Sequence, residues 1–185
     1  NFENSRHSNE IKNVCYVGSF YKGRGIDLIL YLAKKFPYLQ FNLYGQSDSY
    51  IKSNLKNVKI HEHVDYCYVP DILKNSDLLL MPYSNKVSVR SKTLNTADYC
   101  SPLKMFDYLA AGKIIMSSKL NGICEVLSHK KNAIIVNDYD YVLWETELKN
   151  LLKNEYDIKE IQKNALYTAC KYTWVNRASK ILSKK

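Results

Sequence analysis

A short segment that leads from a loop into a helix, residues 98–112, carries side chains suited to ligand chemistry. Ser101 can cap a helix because its hydroxyl accepts a hydrogen bond from a backbone N–H of the first turn. Pro102 then takes the first helical position, where its missing N–H costs nothing. The free N–H groups around Leu103 and the positive end of the helix dipole favour an anion. Lys104 adds a cation, so this helix start predicts an anion site.

Two acidic residues accompany the helix start. Asp98 lies before it, and Asp107 lies inside the helix among apolar residues. A carboxylate repels an anion, but it accepts hydrogen bonds from the hydroxyls of a sugar. The segment therefore predicts a ligand with a phosphate at one end and hydroxyls nearby. The alternative is a buried, capped helix in which Asp107 bonds only to backbone or solvent.

A second candidate stretch is rich in glycine and follows the first predicted strand. Gly18, Gly23 and Gly25 would let the backbone turn tightly or approach a ligand closely. The G-x-G-x-x-G spacing of dinucleotide-binding loops is absent. The stretch fits either an anion-binding loop or a simple turn.

A metal site could be suspected at His61, His63 and Cys67, because two histidines at this spacing share one face of a strand. The spacing matches no standard zinc pattern. We therefore predict no metal at this segment.

The composition bounds the class of protein. The 185 residues suffice for one domain with a full core. Five scattered cysteines indicate reduced thiols and a cytoplasmic setting. The net charge of +9 favours acidic partners, but the lysines are dispersed and no nucleic-acid-binding motif is present, so we expect no nucleic acid. No apolar run is long enough to span a membrane, and we expect no secretory signal.

Short apolar runs alternate with helical patterns, which is typical of βαβ units on a parallel sheet. The predicted strands are Val14–Val17, Phe41–Tyr44, Val58–His61, Leu78–Met81, Ile114–Ser117 and Ala133–Val136. The predicted helices are Ile26–Lys35, Val69–Asn75, Pro102–Ala111, Gly122–Leu127, Tyr141–Lys153 and about Ile158 to Leu182, broken near Tyr172–Trp174.

This pattern predicts a linker over residues 1–12 and one α/β domain over residues 13–185 with a helical tail. The expected architecture is a single Rossmann-like, doubly wound parallel sheet with helices on both faces. Ligands of such sheets bind at the carboxyl ends of the strands, near a topological switch point.

Residues 101–115, S-P-L-K-M-F-D-Y-L-A-A-G-K-I-I, closely resemble the donor-binding segment of glycosyltransferase family 4. Enzymes of that family have the GT-B fold, in which two Rossmann-like domains face a cleft. The common family pattern has two glutamates separated by seven residues, and a Ser-Pro-Leu-Lys subgroup has one more. This sequence is similar to the subgroup, with aspartates at both positions, Asp98 and Asp107.

Other stretches extend the resemblance from about Val14 to Leu182, in the family's order. Arg24 matches the family's basic residue that holds the donor diphosphate, while Ser19 stands where an upstream arginine is common. Gly45 matches the loop after the second strand, and Val64 matches the segment whose backbone cradles the nucleotide base. The terminal Y-T-W-V-N-R-A matches the family's last motif, in which we expect Trp174 to be a packing anchor.

The resemblance implies the donor-binding half of a GT-B enzyme that transfers a sugar from a UDP- or GDP-sugar with retention and without a required metal or other cofactor. It implies diphosphate contacts from Arg24, Ser19 and Lys104 and from the helix start at Ser101 and Leu103. Asp98 would act on the donor sugar. The nucleoside would lie against the side chain or backbone of three residues, Asp107, Val64 and Gly45.

The acceptor, a glycan or lipid-linked molecule in bacterial surface polysaccharide synthesis, would bind an N-terminal domain that these residues lack. We therefore expect the isolated chain to be nearly inactive. We expect a cytoplasmic location for the enzyme. There its basic surface would suit association with the anionic inner face of the membrane. Two alternatives stay open: a sugar-nucleotide epimerase on a related fold, and a non-catalytic module that binds nucleotide-sugars.

Overall fold

A computed structural model describes residues 10–46, 53–84, 103–137 and 139–183 of the chain. These residues form one parallel sheet, whose strands are β1 (Asn13–Val17), β2 (Gln40–Tyr44), β3 (Val58–His61), β4 (Leu78–Met81), β5 (Ile114–Ser118) and β6 (Ile134–Val136). The helices are α1 (Ile26–Lys35), α2 (Val69–Lys74), α3 (Leu103–Ala110), α4 (Asn121–Cys124), α5 (Tyr141–Leu152), α6 (Ile158–Lys171) and α7 (Trp174–Leu182).

The strand order is β3-β2-β1-β4-β5-β6, so β1 is central. Val14 on β1 pairs with Phe41 on β2 and, across the other edge, with Leu78 on β4. The chain leaves β1 in one direction along the sheet and leaves β4 in the other. The carboxyl ends of these two strands therefore mark the topological switch point, where ligands of such sheets bind.

Helices cover the sheet on both faces, and side chains of β4 alternate between them. Leu78 and Leu80 join the core that includes α1 and α5, whereas Leu79 and Met81 join the core that includes α3 and part of α6. All four residues of β4 are buried, as is usual for an inner strand of a parallel sheet. Burial on both faces explains why this strand reads as a continuous apolar run.

The predicted fold is confirmed: a single parallel Rossmann-like sheet with helices on both faces. The predicted strands agree with the structure to within one residue at each end. The break before the last helix is also confirmed, because α6 ends at Lys171 and Thr173 caps α7 by accepting a hydrogen bond from the Asn176 N–H. The predicted N-cap Ser101 and Pro102 lie outside the described residues.

Two details of the prediction are wrong. The helix expected to reach Leu127 ends at Cys124. Beyond it, the Asn132 side-chain amide donates a hydrogen bond to the Val126 carbonyl and accepts one from the Ser128 N–H. Trp174 is 77% exposed, so it is not a packing anchor within the described chain. Its ring instead lies 5.6 Å from the Arg177 guanidinium.

Among the helices described, none combines the length and the hydrophobicity needed to cross a bilayer.

Candidate functional site

The loop between β1 and α1 is tied to the loops that follow β2 and β4. The Gly18 N–H donates to the Tyr44 carbonyl at 2.9 Å, and the Ser84 N–H donates to the Gly23 carbonyl at 3.0 Å. Inside the loop, the Tyr16 hydroxyl donates to the Ser19 carbonyl at 2.9 Å. These contacts fix the loop at the switch point.

Gly45 explains how closely two of these loops approach. A Cβ on Gly45 would lie 1.9 Å from the Gly18 carbonyl oxygen, which leaves no room for any side chain. Gly18 itself has φ +150°, a conformation that L side chains rarely adopt. Gly18 and Gly45, both candidates from the sequence, thus allow close backbone packing at the mouth of the site.

Lys104 reaches from the first turn of α3 into the same region. Its Nζ lies 4.0 Å from the centroid of the Tyr16 ring and 5.3 Å from that of Tyr83. It would lie only 2.6 Å from a Cβ on Gly18. A lysine ammonium over aromatic faces is held by the ring quadrupole, more strongly where water is excluded. The half-buried Lys104 is therefore aimed at the loop after β1.

Arg24 approaches the same tyrosine from the end of that loop. Its guanidinium carbon lies 5.4 Å from the centroid of the Tyr83 ring. Tyr83, two residues after β4, is buried, whereas Arg24 and Lys104 are half-buried. Two cations thus share one aromatic ring at the switch point. Such a concentration of positive charge beside low-dielectric groups favours an anion.

Buried tyrosines support this region without carrying charge. Burial is the main cause that raises the pKa of Tyr16 and of Tyr108. The Tyr108 hydroxyl accepts a hydrogen bond from the Val17 N–H at 2.9 Å, at the end of β1. Both side chains therefore stay protonated and act as fixed hydrogen-bonding groups beneath the cations.

Asp107 lies one helical turn beyond Lys104 on α3. Its Oδ1 accepts a hydrogen bond of 2.6 Å from the hydroxyl of Tyr66, which begins a 3₁₀ turn (Tyr66–Tyr68) after β3. Asp107 is half-buried, so its carboxylate remains accessible to a ligand. Asp107 thus bonds to a side chain within the fold, and not only to backbone or solvent. A carboxylate in this position can receive further hydroxyl donors.

A groove of about 640 Å³ runs beside this pair between α2, α3 and α6. Tyr66 and Asp107 line one part of it, and Val69, Leu73 and Leu166 supply apolar surface. Its volume lies within the usual range of small-molecule sites, about 300 to 1,000 Å³. The carboxylate thus borders both an apolar groove and the polar end of α3.

The ends of β2 and β3 carry an aromatic stack. The rings of Tyr44 and His61 are parallel within 7°, with centroids 4.2 Å apart. Burial lowers the pKa of His61, which favours the neutral ring. His63 is exposed, and the described residues contain no group of three potential metal ligands.

The structure brings together most, though not all, of the predicted site residues that it describes. Lys104 and Gly45 both approach Gly18, and Arg24 shares the Tyr83 ring with Lys104. Ser19 lies exposed in the loop after β1. The other described residues are placed as follows: Val64 packs against the core on the α3 side, Leu103 is exposed as the first residue of α3, and Asp107 meets Tyr66. Asp98 and Ser101 lie outside the described residues.

Sequence reasoning missed the tyrosines, namely Tyr16, Tyr66 and Tyr83. The sequence contains 16 tyrosines, so the residue type alone gives no discrimination. Position offers a partial signal, because Tyr83 stands two residues after a predicted inner strand. The carboxyl end of such a strand is where ligand contacts are expected.

Comparison with known proteins identifies the class of protein. Residues 24–183 match the family described as glycosyl transferase-like. The chain belongs to this family. Among curated proteins, no match to the sequence was found.

Solved structures show the same fold as this glycosyl transferase-like chain at low sequence identity. HepE from Anabaena, solved with UDP and glucose, has a TM-score of 0.72 and 15% identity over 95% of this chain. Sucrose-phosphate synthase from Thermosynechococcus elongatus has a TM-score of 0.76 and 16% identity, again over 95%. The match spans 49% of the first protein and 45% of the second, so this chain corresponds to about half of each.

A third structure is itself one domain. The C-terminal domain of the glycosyl transferase group 1 protein LpcC from Francisella tularensis has a TM-score of 0.66 and 13% identity, and the match covers 87% of this chain and 85% of that one. The sheet of the glycosyl transferase-like chain is thus that of one half of a GT-B glycosyltransferase.

Proposed function

We propose that this chain is the donor-binding half of a retaining glycosyltransferase of family 4, in the Ser-Pro-Leu-Lys subgroup. The observation that carries the proposal is the convergence of Arg24 and Lys104 on the Tyr83 ring at the switch point, with Asp107 one helical turn further. Two cations next to a hydroxyl-accepting carboxylate suit a nucleotide-diphosphate sugar. The complexes of HepE with UDP and with UDP-glucose support this choice of ligand class.

In this proposal the cations bind the donor diphosphate. Arg24 offers a planar fork for phosphate oxygens and Lys104 a point charge. Ser19 and the start of α3 at Ser101 and Leu103 add hydrogen-bond donors. Stabilising the charge that develops on the leaving phosphate is the largest electrostatic requirement of such a transfer. These groups would meet it without a metal or other cofactor.

The remaining residues would hold the donor's other parts. Asp107 would accept hydrogen bonds from the ribose hydroxyls, and the backbone near Val64 and Gly45 would border the nucleoside. Asp98 would act on the donor sugar. A carboxylate that accepts hydrogen bonds from ligand hydroxyls discriminates well between ligands. An analogue that lacks the hydroxyl leaves the carboxylate without its hydrogen-bond partner.

The proposal includes a second half that these residues do not supply. An acceptor domain would precede this chain and bind a glycan or lipid-linked acceptor for bacterial surface polysaccharide synthesis. We place the enzyme in the cytoplasm, with the net charge of +9 drawing it to an anionic inner membrane face. The isolated chain would then bind nucleotide weakly and transfer little sugar.

The test is a titration of UDP, GDP and their sugar conjugates into wild type and Arg24→Ala, followed by calorimetry. Arg177→Ala, a change of the same type at an exposed position on α7, is the matched control. Saturable binding of one nucleotide that Arg24→Ala alone abolishes supports the proposal. Equal binding by all three proteins would contradict it.

Product analysis of the full-length protein separates the two alternatives. An epimerised nucleotide-sugar in place of a transferred sugar identifies an epimerase. A full-length Asp107→Asn variant with unchanged function would favour the non-catalytic module.

A further inference from the structure

The Tyr66 hydroxyl and the Asp107 carboxylate form a contact between two elements that lie 41 residues apart in sequence. The donor–acceptor distance of 2.6 Å is short, as expected for a hydroxyl that bonds to an ionised oxygen. Tyr66 is 69% exposed, so its ring contributes little to the core. The contact therefore buries little apolar surface, and its direct structural consequence is to orient Asp107.

The terminal torsion angle of an Asp side chain has a broad distribution, without the sharp staggered minima of other side-chain torsions. A hydrogen bond to Oδ1 restricts that torsion. In the part of the chain that the structure describes, Oδ2 takes part in no hydrogen bond with another side chain. One carboxylate oxygen is thus held by the protein, and the second is left for a ligand.

The charge state of the pair suits this arrangement. The hydrogen bond with Asp107 is the main cause that raises the pKa of Tyr66, and burial adds to it. Tyr66 consequently stays a hydrogen-bond donor throughout the neutral range. Because a phenol donates only one hydrogen, it saturates one acceptor position of the carboxylate and no more.

We propose that Tyr66 is a positioning residue of the nucleotide site, which orients the Asp107 carboxylate so that its second oxygen receives a ribose hydroxyl. This inference rests on the proposed function, in which Asp107 binds the ribose. It adds the residue that sets the geometry of that contact. Tyr66 itself touches no reacting atom in this scheme.

Tyr68 provides a matched control because it lies two residues away in the same 3₁₀ turn and is also exposed. Its hydroxyl makes no hydrogen bond to any residue within the described ranges. Tyr66→Phe and Tyr68→Phe each remove one oxygen from an exposed ring. Both variants should fold, and their thermal unfolding should match that of wild type.

The experiment measures the dissociation constants of UDP, GDP and their 2′-deoxy and 3′-deoxy analogues by ligand-observed NMR, which detects weak binding. We expect Tyr66→Phe to weaken ribonucleotide binding about tenfold, because an Asp107 carboxylate that is no longer oriented loses most of one charge-assisted hydrogen bond to the ribose. Binding of the deoxy analogue that lacks the contacted hydroxyl should change little. The preference for ribose therefore shrinks in Tyr66→Phe and persists in Tyr68→Phe.

A double-mutant cycle gives a second readout. In an Asp107→Ala background, which removes the acceptor, Tyr66→Phe should have no further effect on the ribose preference. If Tyr66→Phe keeps the wild-type preference, or weakens ribose and deoxyribose forms equally, the inference about Tyr66 is overturned while the proposed function stands. If wild type binds no nucleotide, or shows no ribose preference, the role proposed for Asp107 fails and this inference fails with it.

Discussion

The Lys104 ammonium on α3 lies 4.0 Å from the centroid of the Tyr16 ring on β1, and it fills the space beside Gly18. The contact joins the start of α3, predicted from the sequence as an anion site, to the glycine-rich loop after β1, which the sequence left open as an anion-binding loop or a simple turn. Because burial keeps Tyr16 neutral, its ring face can hold the cation. The helix start and the glycine-rich loop therefore lie together in the fold.

This arrangement predicts that Lys104 recognises the phosphates of a nucleotide and not its nucleoside. Lys104→Met keeps most of the aliphatic stem but removes the charge. UDP binding should weaken about tenfold, or 1.4 kcal/mol, while uridine binding stays unchanged. Calorimetric titration with both ligands checks this. Lys131→Met, at an exposed turn, is the control, and equal losses for UDP and uridine would contradict the prediction.

Gly18→Ala should damage both stability and phosphate binding. Alanine at φ +150° is strained, and its Cβ would lie 2.6 Å from the Lys104 Nζ. We expect the free energy of unfolding to fall by about 1 to 3 kcal/mol. Lys104 should be displaced as well, so UDP affinity should fall more than uridine affinity. Urea unfolding and the two titrations measure these effects, and a variant with wild-type values in both would refute the packing described.

Asn57 should be important for stability although it lies away from the site. Its side-chain NH2 group has two hydrogens and shares them among three carbonyls, those of Ala33, Phe36 and Leu39, where α1 ends. Asn57→Ala leaves these groups without that donor and should lower the free energy of unfolding by about 2 to 3 kcal/mol. Asn54→Ala, at an exposed position nearby, should change it by less than about 0.5 kcal/mol. Similar values for both would contradict the assignment.

Glu145 should account for part of the stability that the fold loses at low pH. Hydrogen bonds from Lys149 and then Tyr31 lower the pKa of Glu145 from 4.5 to about 2. Because the folded state holds the ionised form more strongly, this contribution to stability is complete above pH 4.5 and is lost as the pH falls towards about 2.

Glu145→Gln should therefore be less stable than wild type at neutral pH, and the difference should shrink between pH 4.5 and 2. Urea unfolding at several pH values measures it. Glu155→Gln, at an exposed position, serves as the control. A difference that stays constant with pH would count against the ion-pair assignment.

The sequence predicted the sheet well because its signals are local. Leu78–Met81 is a continuous apolar run, and burial on both faces of a parallel sheet produces that run directly. Because ligands of such sheets bind at the carboxyl ends of the strands, the predicted strands also indicate which edge of the sheet carries the site. The contacts themselves depend on tertiary geometry. Tyr66 meets Asp107, and Lys104 meets Gly18, through side-chain directions that no spacing pattern encodes.

The central position of β1 also bears on how the chain is made. Asn13, at the start of β1, donates its backbone N–H to the Asp77 carboxylate that precedes β4, 64 residues later. On the ribosome, β1 can pair with β2 soon after both emerge, but its other edge waits for β4. At about 5 to 20 residues per second that edge stays open for several seconds. An unpaired hydrophobic edge can join another nascent chain, so this is the interval in which a chaperone would have most effect.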